Sequence, residues 1–250
     1  MTVRDRQPRA AGRLLALWAV LTLAACAAPR PGQQFNDPYE ARNRAVHEFN
    51  KSVDSAVFGG GAGKDEPSSI PKPLTNMASN FAANLGEPGS FLNHMLQGKP
   101  VPAAQNVLRF GVNTIAGVGG LFDAASALGL PPATTDFGAT LHTWGAPEGA
   151  YLEAPILGPT TERDLAGTVV DIFIDPVNHA LDWPDVGRVN AARLVGKAAQ
   201  RLRFSATANS ILYDSADSYA QARLLYLQNR HFELGIEEDQ PDPFEDPNAN

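Results

Sequence analysis

The side chains of this 250-residue chain best suited to metal or nucleophilic chemistry are five histidines, His47, His94, His142, His179 and His231, and one cysteine, Cys26. The histidines are far apart in sequence. None stands in the His-x-x-x-His or His-Glu-x-x-His spacing that sets two ligands on one helix face around a metal ion, and each reads as a surface or capping residue. A serine nucleophile would be expected in a Gly-x-Ser-x-Gly elbow. The nearest stretch, EPGSFLN at residues 87–93, lacks both the spacing and the second glycine. Serine, histidine and an acid can also assemble from distant positions in any chain order, so a lipid-modifying hydrolase stays as an alternative function. GVGG at residues 117–120 holds only a fragment of a dinucleotide-binding fingerprint, and no P-loop is present. The expectation is a protein that is not an enzyme, with no metal and no cofactor beyond a covalent lipid.

That lipid falls on Cys26. Residues 1–13 carry Arg4, Arg6, Arg9 and Arg13 against Asp5, and residues 14–25, LLALWAVLTLAA, are apolar. Basic, apolar and then small residues make a secretory signal, and the apolar part is short of the roughly 20 residues a membrane span needs. Leu23-Ala24-Ala25-Cys26 resembles the bacterial lipobox, in which the thiol is acylated and the signal is cut before the cysteine. A lone exported thiol has no disulfide partner, which agrees with that role. Two or three acyl chains hold a protein on a membrane where one does so only marginally. Ala27 stands where an aspartate would resemble an inner-membrane retention signal, which points to the inner face of the outer membrane.

The formal charge is −7. Residues 1–25 hold four arginines and one aspartate, so removing them leaves −10, and the seven acids of residues 233–250, with no Lys or Arg, leave the body at −3. A nearly balanced body without a basic block argues against a nucleic-acid partner. The tail, EEDQPDPFEDPNAN, reads as a solvated, disordered end. The expected organisation is a signal peptide at 1–25, a lipidated linker at 26–35, one helical domain at 36–232 and an acidic tail at 233–250.

Within the body, Asp37-Pro38-Tyr39-Glu40 predicts a helix capped by Asp37, with Val46, Phe49, Val53 and Val57 as its apolar stripe. Leu74, Met77, Phe81 and Leu85 predict a second helix, GEPG at 86–89 a break, and Phe91, Leu92, Met95 and Leu96 a third. A fourth begins near Pro102. Others follow after Thr161, with Leu165, Val169 and Ile172 on one face, around 190–202, and over 211–229. The best strand candidate is short, AYLEAP at 150–155. The fold is therefore expected to be mainly α with little β.

Residues 107–130 are the most apolar part of the body, yet Arg109 and Asp123 would each cost about 2.5–3.5 kcal/mol at a bilayer centre. Two apolar helical arms meeting at Gly117, Gly119 and Gly120 account for the run, as a buried hairpin or as a membrane-inserted one.

Four blocks resemble the MlaA (VacJ) family of outer-membrane lipoproteins: residues 36–54, NDPYEARNRAVHEFNKSVD; 79–100, SNFAANLGEPGSFLNHMLQGKP; 109–125, RFGVNTIAGVGGLFDAA; and 136–167, DFGATLHTWGAPEGAYLEAPILGPTTERDLAG. A weaker fifth, DSYAQARLLYLQNR, covers 217–230. The loop GGGAGKDEPSS at 59–69 and His142, where a glycine is common, depart from the family pattern. The resemblance implies a compact, ring-like helical single domain in the inner leaflet of the outer membrane, with an amphipathic central channel. It implies removal of mislocalised phospholipids from the outer leaflet, beside a trimeric porin, and their transfer to a periplasmic phospholipid carrier of the MlaC type. It favours lipid contact for residues 107–130. It places Phe49 and Asn50 near the channel or its neighbouring packing, and makes Gly117, Gly119 and Gly120 a hinge candidate. A structural lipoprotein that only scaffolds porins is a further alternative.

Overall fold

The computed structural model describes residues 35–59 and 70–236. The expected signal peptide, Cys26 with the linker to residue 34, the loop at 60–69 and the tail from 237 lie outside the described residues. The described chain runs α1 (Glu40–Phe58), α2 (Lys72–Leu96), α3 (Pro100–Ile115), α4 (Ala124–Ala127), α5 (Phe137–Thr143), β1 (Tyr151–Ala154), β2 (Gly158–Thr161), α6 (Glu162–Ile174), α7 (Pro176–Ala180), α8 (Asp185–Arg203), α9 (Ser205–Asn209), a π turn (Ser210–Asp214) and α10 (Ser218–Leu234). β1 and β2 form an antiparallel hairpin with Tyr151 opposite Thr161. The mainly helical expectation holds. α2 is the spine, packed along α3 and α8, while α5 packs on α6 and the hairpin on α1.

Local signals misplaced three boundaries. Asp37 does not cap α1, which opens at Glu40 behind Tyr39. Its buried carboxylate is taken instead by Asn43 Nδ2 at 2.9 Å, the Tyr219 hydroxyl and the Arg223 guanidinium, charge-assisted partners that a helix amide does not outbid. Residues 86–89 do not break α2, which runs unbroken for 25 residues. Pro88 deprives the Asn84 carbonyl of a partner. The adjoining Glu87 is nonetheless held by Arg109 at 2.8 Å and Asn106 at 2.6 Å, which fastens this turn to α3 and overrides the local preference. The single helix expected over 211–229 is divided by the π turn, and α10 starts where Asp217 accepts from the Ala220 amide at 3.0 Å. α10 continues through Glu233 to Leu234, where Gly235 closes it at φ +69°.

The larger correction concerns which side faces inward. In α2 the buried residues are Thr75, Ser79, Asn84, Glu87, Ser90, Asn93 and His94, and in α3 they are Ala103, Asn106, Arg109 and Asn113. In α1 they are Asn43 and His47, while Phe49 and Val57 of the expected core stripe are exposed. Val169 and Ile172 of α6 are likewise exposed, and Arg163, Asp164 and Gly167 are buried. The one hydrophobic cluster among the described residues is Tyr151, Tyr219 and Leu227, with Phe35 and Tyr226 packed against it. Polar groups inside and large apolar groups outside is the reverse of the arrangement that water imposes.

Small residues set the closest helix approach. A Cβ on Gly196 of α8 would stand 2.1 Å from Ala82 Cβ and 3.1 Å from the Ala78 carbonyl of α2. Gly196→Val is therefore expected to force α2 and α8 apart and to destabilise the fold by about 1–3 kcal/mol, seen as a lower unfolding midpoint in detergent.

Candidate functional site

The polar interior falls into three linked clusters. Between α2 and α3, Arg109 bonds Glu87 Oε1 at 2.8 Å, Asp123 Oδ1 at 3.2 Å, Ser126 Oγ at 3.1 Å and the Leu130 carbonyl. Asn106 joins Glu87 to His94 Nδ1, which lies 2.8 Å from Asn106 Oδ1. Burial pushes the Asp123 carboxyl up, but Ser126, the Arg109 charge and Asn113 outweigh it and leave the pKa lowered. The two charges that made residues 107–130 costly in a bilayer thus pair with each other, Arg109 buried and shared with Glu87, Asp123 half-buried. Val107, Leu108, Phe110, Ile115, Val118, Phe122 and Leu128 meanwhile face out. The second helical arm expected after the glycines is only the four-residue α4, because Asp123 caps it and Leu128 to Leu130 already close back on it.

Around α5, α6 and α10, Arg230 makes paired bonds to Asp136, 2.8 and 3.0 Å, and to Asp164, 2.9 and 3.0 Å. Tyr226 donates to Asp164 at 2.8 Å. A Cβ on Gly138 would lie 2.5 Å from Asp164 Oδ1, so this close approach depends on glycine. Burial and the Arg163 and Arg230 charges push the His142 imidazole down, which keeps it neutral near pH 7.

The third cluster joins α1, the hairpin and α10. His47 lies between Glu153 Oε1, 3.3 Å from Nδ1, and Ser218 Oγ, 3.1 Å from Nε2. Tyr151 donates to Glu153 Oε2 at 2.7 Å. His47 and His94 are therefore buried and bonded, against the expectation that every histidine is a surface or capping residue. Among the described residues no group of three or more His, Cys, Asp or Glu could hold a metal ion.

Two cavities adjoin these clusters. One of ≈ 470 Å³ lies between α1 and residues 212–219, walled by Arg44, Lys51, Tyr213, Ser215 and Ser218. The other, ≈ 350 Å³, lies between α2 and the α6 to α8 segment, with Asn93, Thr135, Asp171 and Arg193 in its wall and no side chain from Gly86 or Gly89. Burial, aided by the Asp136 and Asp175 charges, outweighs hydrogen bonds from the Phe137 amide and Asn93 and raises the Asp171 pKa.

The candidate residues read from the sequence lie on two separate elements. Phe49 projects outward from α1. Asn50 bonds Glu153 Oε1 at 3.2 Å and the Ala154 carbonyl at 3.1 Å, and accepts from the Ile156 amide at 2.7 Å, so it clasps the hairpin to α1. Gly117, Gly119 and Gly120 form the turn after α3. A Cβ on Gly117 would meet the Phe122 carbonyl at 2.2 Å, Gly119 and Gly120 have φ of +72° and +93°, and Val118 between them is also left-handed at +53°. Bonds from the amides of Gly119, Gly120 and Phe122, 2.8 to 2.9 Å, pin the turn. The interior residues Asn43, Glu87, Asp164 and Arg230 escaped the sequence reading, and Arg109 was read only as a charge opposing a membrane span. Their signal was a polar stripe at helical spacing, clearest in Asn106, Arg109 and Asn113.

Among the described residues no helix is long and apolar enough to cross a membrane. A protein-family model described as "MlaA lipoprotein" matches residues 35–233. The chain is 34% identical over 240 residues to the "Intermembrane phospholipid transport system lipoprotein MlaA" of Escherichia coli K12, covering 94% of this chain and 92% of that one. It is 33% identical over 228 residues to the protein of the same name from Haemophilus influenzae, covering 88% and 89%. A solved structure described as the structural basis for maintenance of bacterial outer membrane lipid asymmetry superposes with a TM-score of 0.60 at 28% identity, covering 79% of this chain and 98% of the other.

Proposed function

The chain belongs to the MlaA lipoprotein family, and on that premise we propose that it removes mislocalised phospholipids from the outer leaflet of an outer membrane and passes them to a periplasmic carrier. The observation that carries this reading is the inverted polarity of the fold. An exterior of Val107, Leu108, Phe110, Ile115 and Phe173 suits acyl chains, and helices suit that depth because they satisfy their own backbone groups. An interior of Glu87, Arg109, Asp164 and Arg230 suits a charged head group crossing hydrocarbon. In this reading the body lies in the inner leaflet with a channel through the polar interior, beside a trimeric porin. Passage needs no fuel here, since a polar path only lowers the barrier and direction comes from whatever removes the lipid downstream. If Gly117, Gly119 and Gly120 act as a hinge, movement must release the three amide bonds that pin the turn.

Deleting the protein is expected to raise surface-exposed phospholipid, and phospholipid should co-purify with the protein extracted from membranes. Normal asymmetry in the deletion strain would sink the proposal. The anchor is tested separately: the mature amino terminus is expected to be residue 26, with incorporated palmitate lost in Cys26→Ser. Palmitate retained by that variant would remove the anchor.

A further inference from the structure

The cavity of ≈ 350 Å³ has a floor that the packing of the fold does not account for. Gly86 and Gly89 lie inside α2, where glycine is among the least favourable residues for a helix, and a Cβ on either would meet nothing within 4 Å. Neither has the positive φ that favours glycine, so no backbone conformation requires them. At Gly196 the close approach of a helix demands glycine; here glycine leaves open space. The wall around this floor is largely satisfied by its own pairs. Arg193 bonds Asp175 at 2.7 Å and the Leu85 carbonyl at 2.9 Å, Asp175 also accepts from the Val177 and Asn178 amides, and Ser90 donates to the Thr135 carbonyl. Asp171 is the exception. Its carboxylate accepts from Asn93 Nδ2 at 2.8 Å on Oδ1 and from the Phe137 amide at 2.9 Å on Oδ2, both neutral donors, and it forms no ion pair among the described residues. The charges that act on it, Asp136 and Asp175, are negative, and with burial they hold its pKa above the ordinary value. One bond on each oxygen leaves lone pairs on both. A half-buried carboxylate without a cation, on the wall of a cavity, is complemented by a charged donor from outside.

We propose that this cavity recognises a primary ammonium group, taken by Asp171 over the floor of Gly86 and Gly89, and that its bearer is the ethanolamine head group of a phospholipid. The volume is at the small end of ligand cavities and suits a head group, not a diacyl lipid. Acyl chains have apolar surface at hand outside. Ile172 and Phe173 precede the wall residue Ile174, Leu194 and Val195 follow Arg193, and all four are exposed. The ammonium donates N–H bonds to Asp171. A choline head group has no N–H to donate and a glycerol head group has no cation to offset the charge, so each satisfies the carboxylate less well. With Arg193 held by Asp175, the phosphate is left to water at the opening. The lipid as bearer of the amine rests on the transport reading; the ammonium site does not.

The test exposes the mature protein in detergent to equimolar phosphatidylethanolamine, phosphatidylcholine and phosphatidylglycerol of identical acyl chains, and measures the lipids retained by native mass spectrometry. Phosphatidylethanolamine is expected to exceed each of the others by about fivefold or more, and Asp171→Asn to bring the ratios close to one. Equal retention of the three lipids by the parent, or an undiminished preference in Asp171→Asn, overturns the proposal. Should Asp171→Asn fail to fold, Gly86→Leu with Gly89→Leu replaces it. Those side chains fill the floor with better helix formers, so the unfolding midpoint should be no lower than the parent's while the preference is lost. A preference kept in that variant overturns the site. Glycerophosphoethanolamine, the same head group without acyl chains, separates the two sources of amine. It should displace the lipid only in about a hundredfold excess or more, and displacement at equal concentration overturns the lipid as bearer. Surface-exposed phospholipid in the deletion strain reports on transport alone, so the two readings fail separately.

Discussion

Arg230→Met is expected to destabilise the protein by about 3–5 kcal/mol, measured by denaturant unfolding of the purified protein in detergent. Arg230 is buried and makes four bonds to two carboxylates, Asp136 and Asp164. Removing it leaves Asp164 charged in a buried site with only Tyr226 and Arg163 as partners. Arg230→Lys should rescue little, because an ammonium cannot meet two carboxylates in paired fashion. The pH dependence gives a second, independent reading. Burial alone would raise the Asp164 pKa, but bonds from Arg230 and the charges of Arg230 and Arg163 reverse it, so the folded pKa lies below the ordinary value of 3.8. A depressed carboxylate pKa contributes stability that is complete above that value and is lost as the pH falls from there toward the folded pKa. Arg230→Met removes the main cause of the depression, so below about pH 4 the parent should lose stability that the variant no longer has to lose. Asp171 is shifted the opposite way, gains stability on acidification in both proteins and cancels in the comparison. Identical acid profiles would remove Arg230 from this role.

The elements were legible in the sequence because backbone signals are local. A helix starting near Pro102, observed from Pro100, a helix after Thr161 and a short strand within 150–155 needed no tertiary knowledge. The inward face was not legible by the usual rule, because that rule assumes water outside. Val57 and Ile172 sit on true apolar stripes, and the stripes are real, but they face away from the protein. Asn106, Arg109 and Asn113 were the usable sign, since a polar stripe with 3 and 4 spacing inside an apolar run must find partners somewhere. The family resemblance supplied the environment that reverses the rule. Continuity of α2 through Pro88 and diversion of Asp37 from its cap were beyond reach, since both depend on Arg109, Tyr219 and Arg223, distant in sequence from the sites they alter. The pairing of His47 with Glu153 and Ser218, 106 and 171 residues away, was hidden for the same reason.

The apolar exterior makes its own large prediction at Ile115, 86% exposed at the end of α3. In ordinary surface chemistry Ile115→Asp would change folding stability by no more than about 0.5 kcal/mol, and in detergent it should do no more here. In a bilayer the same carboxylate costs up to about 2.5–3.5 kcal/mol, or on the order of a hundredfold in membrane partition. The acyl anchor proposed at Cys26 would mask that loss, so the comparison belongs in protein lacking residues 1–25 and carrying Cys26→Ser, followed by flotation with phospholipid vesicles. Ile115→Asp should shift most of the protein out of the floating fraction, while Arg188→Asp, on the exposed polar start of α8, should leave it there. Equal flotation of the two variants would mean that the apolar surface of α3 does not meet lipid, and the polar interior would then have lost its reason to serve as a passage. Unequal flotation would locate the membrane on the side chains of α3 that the fold leaves uncovered, and would make the buried Glu87 and Arg109 pair the inner wall of the same helix packing.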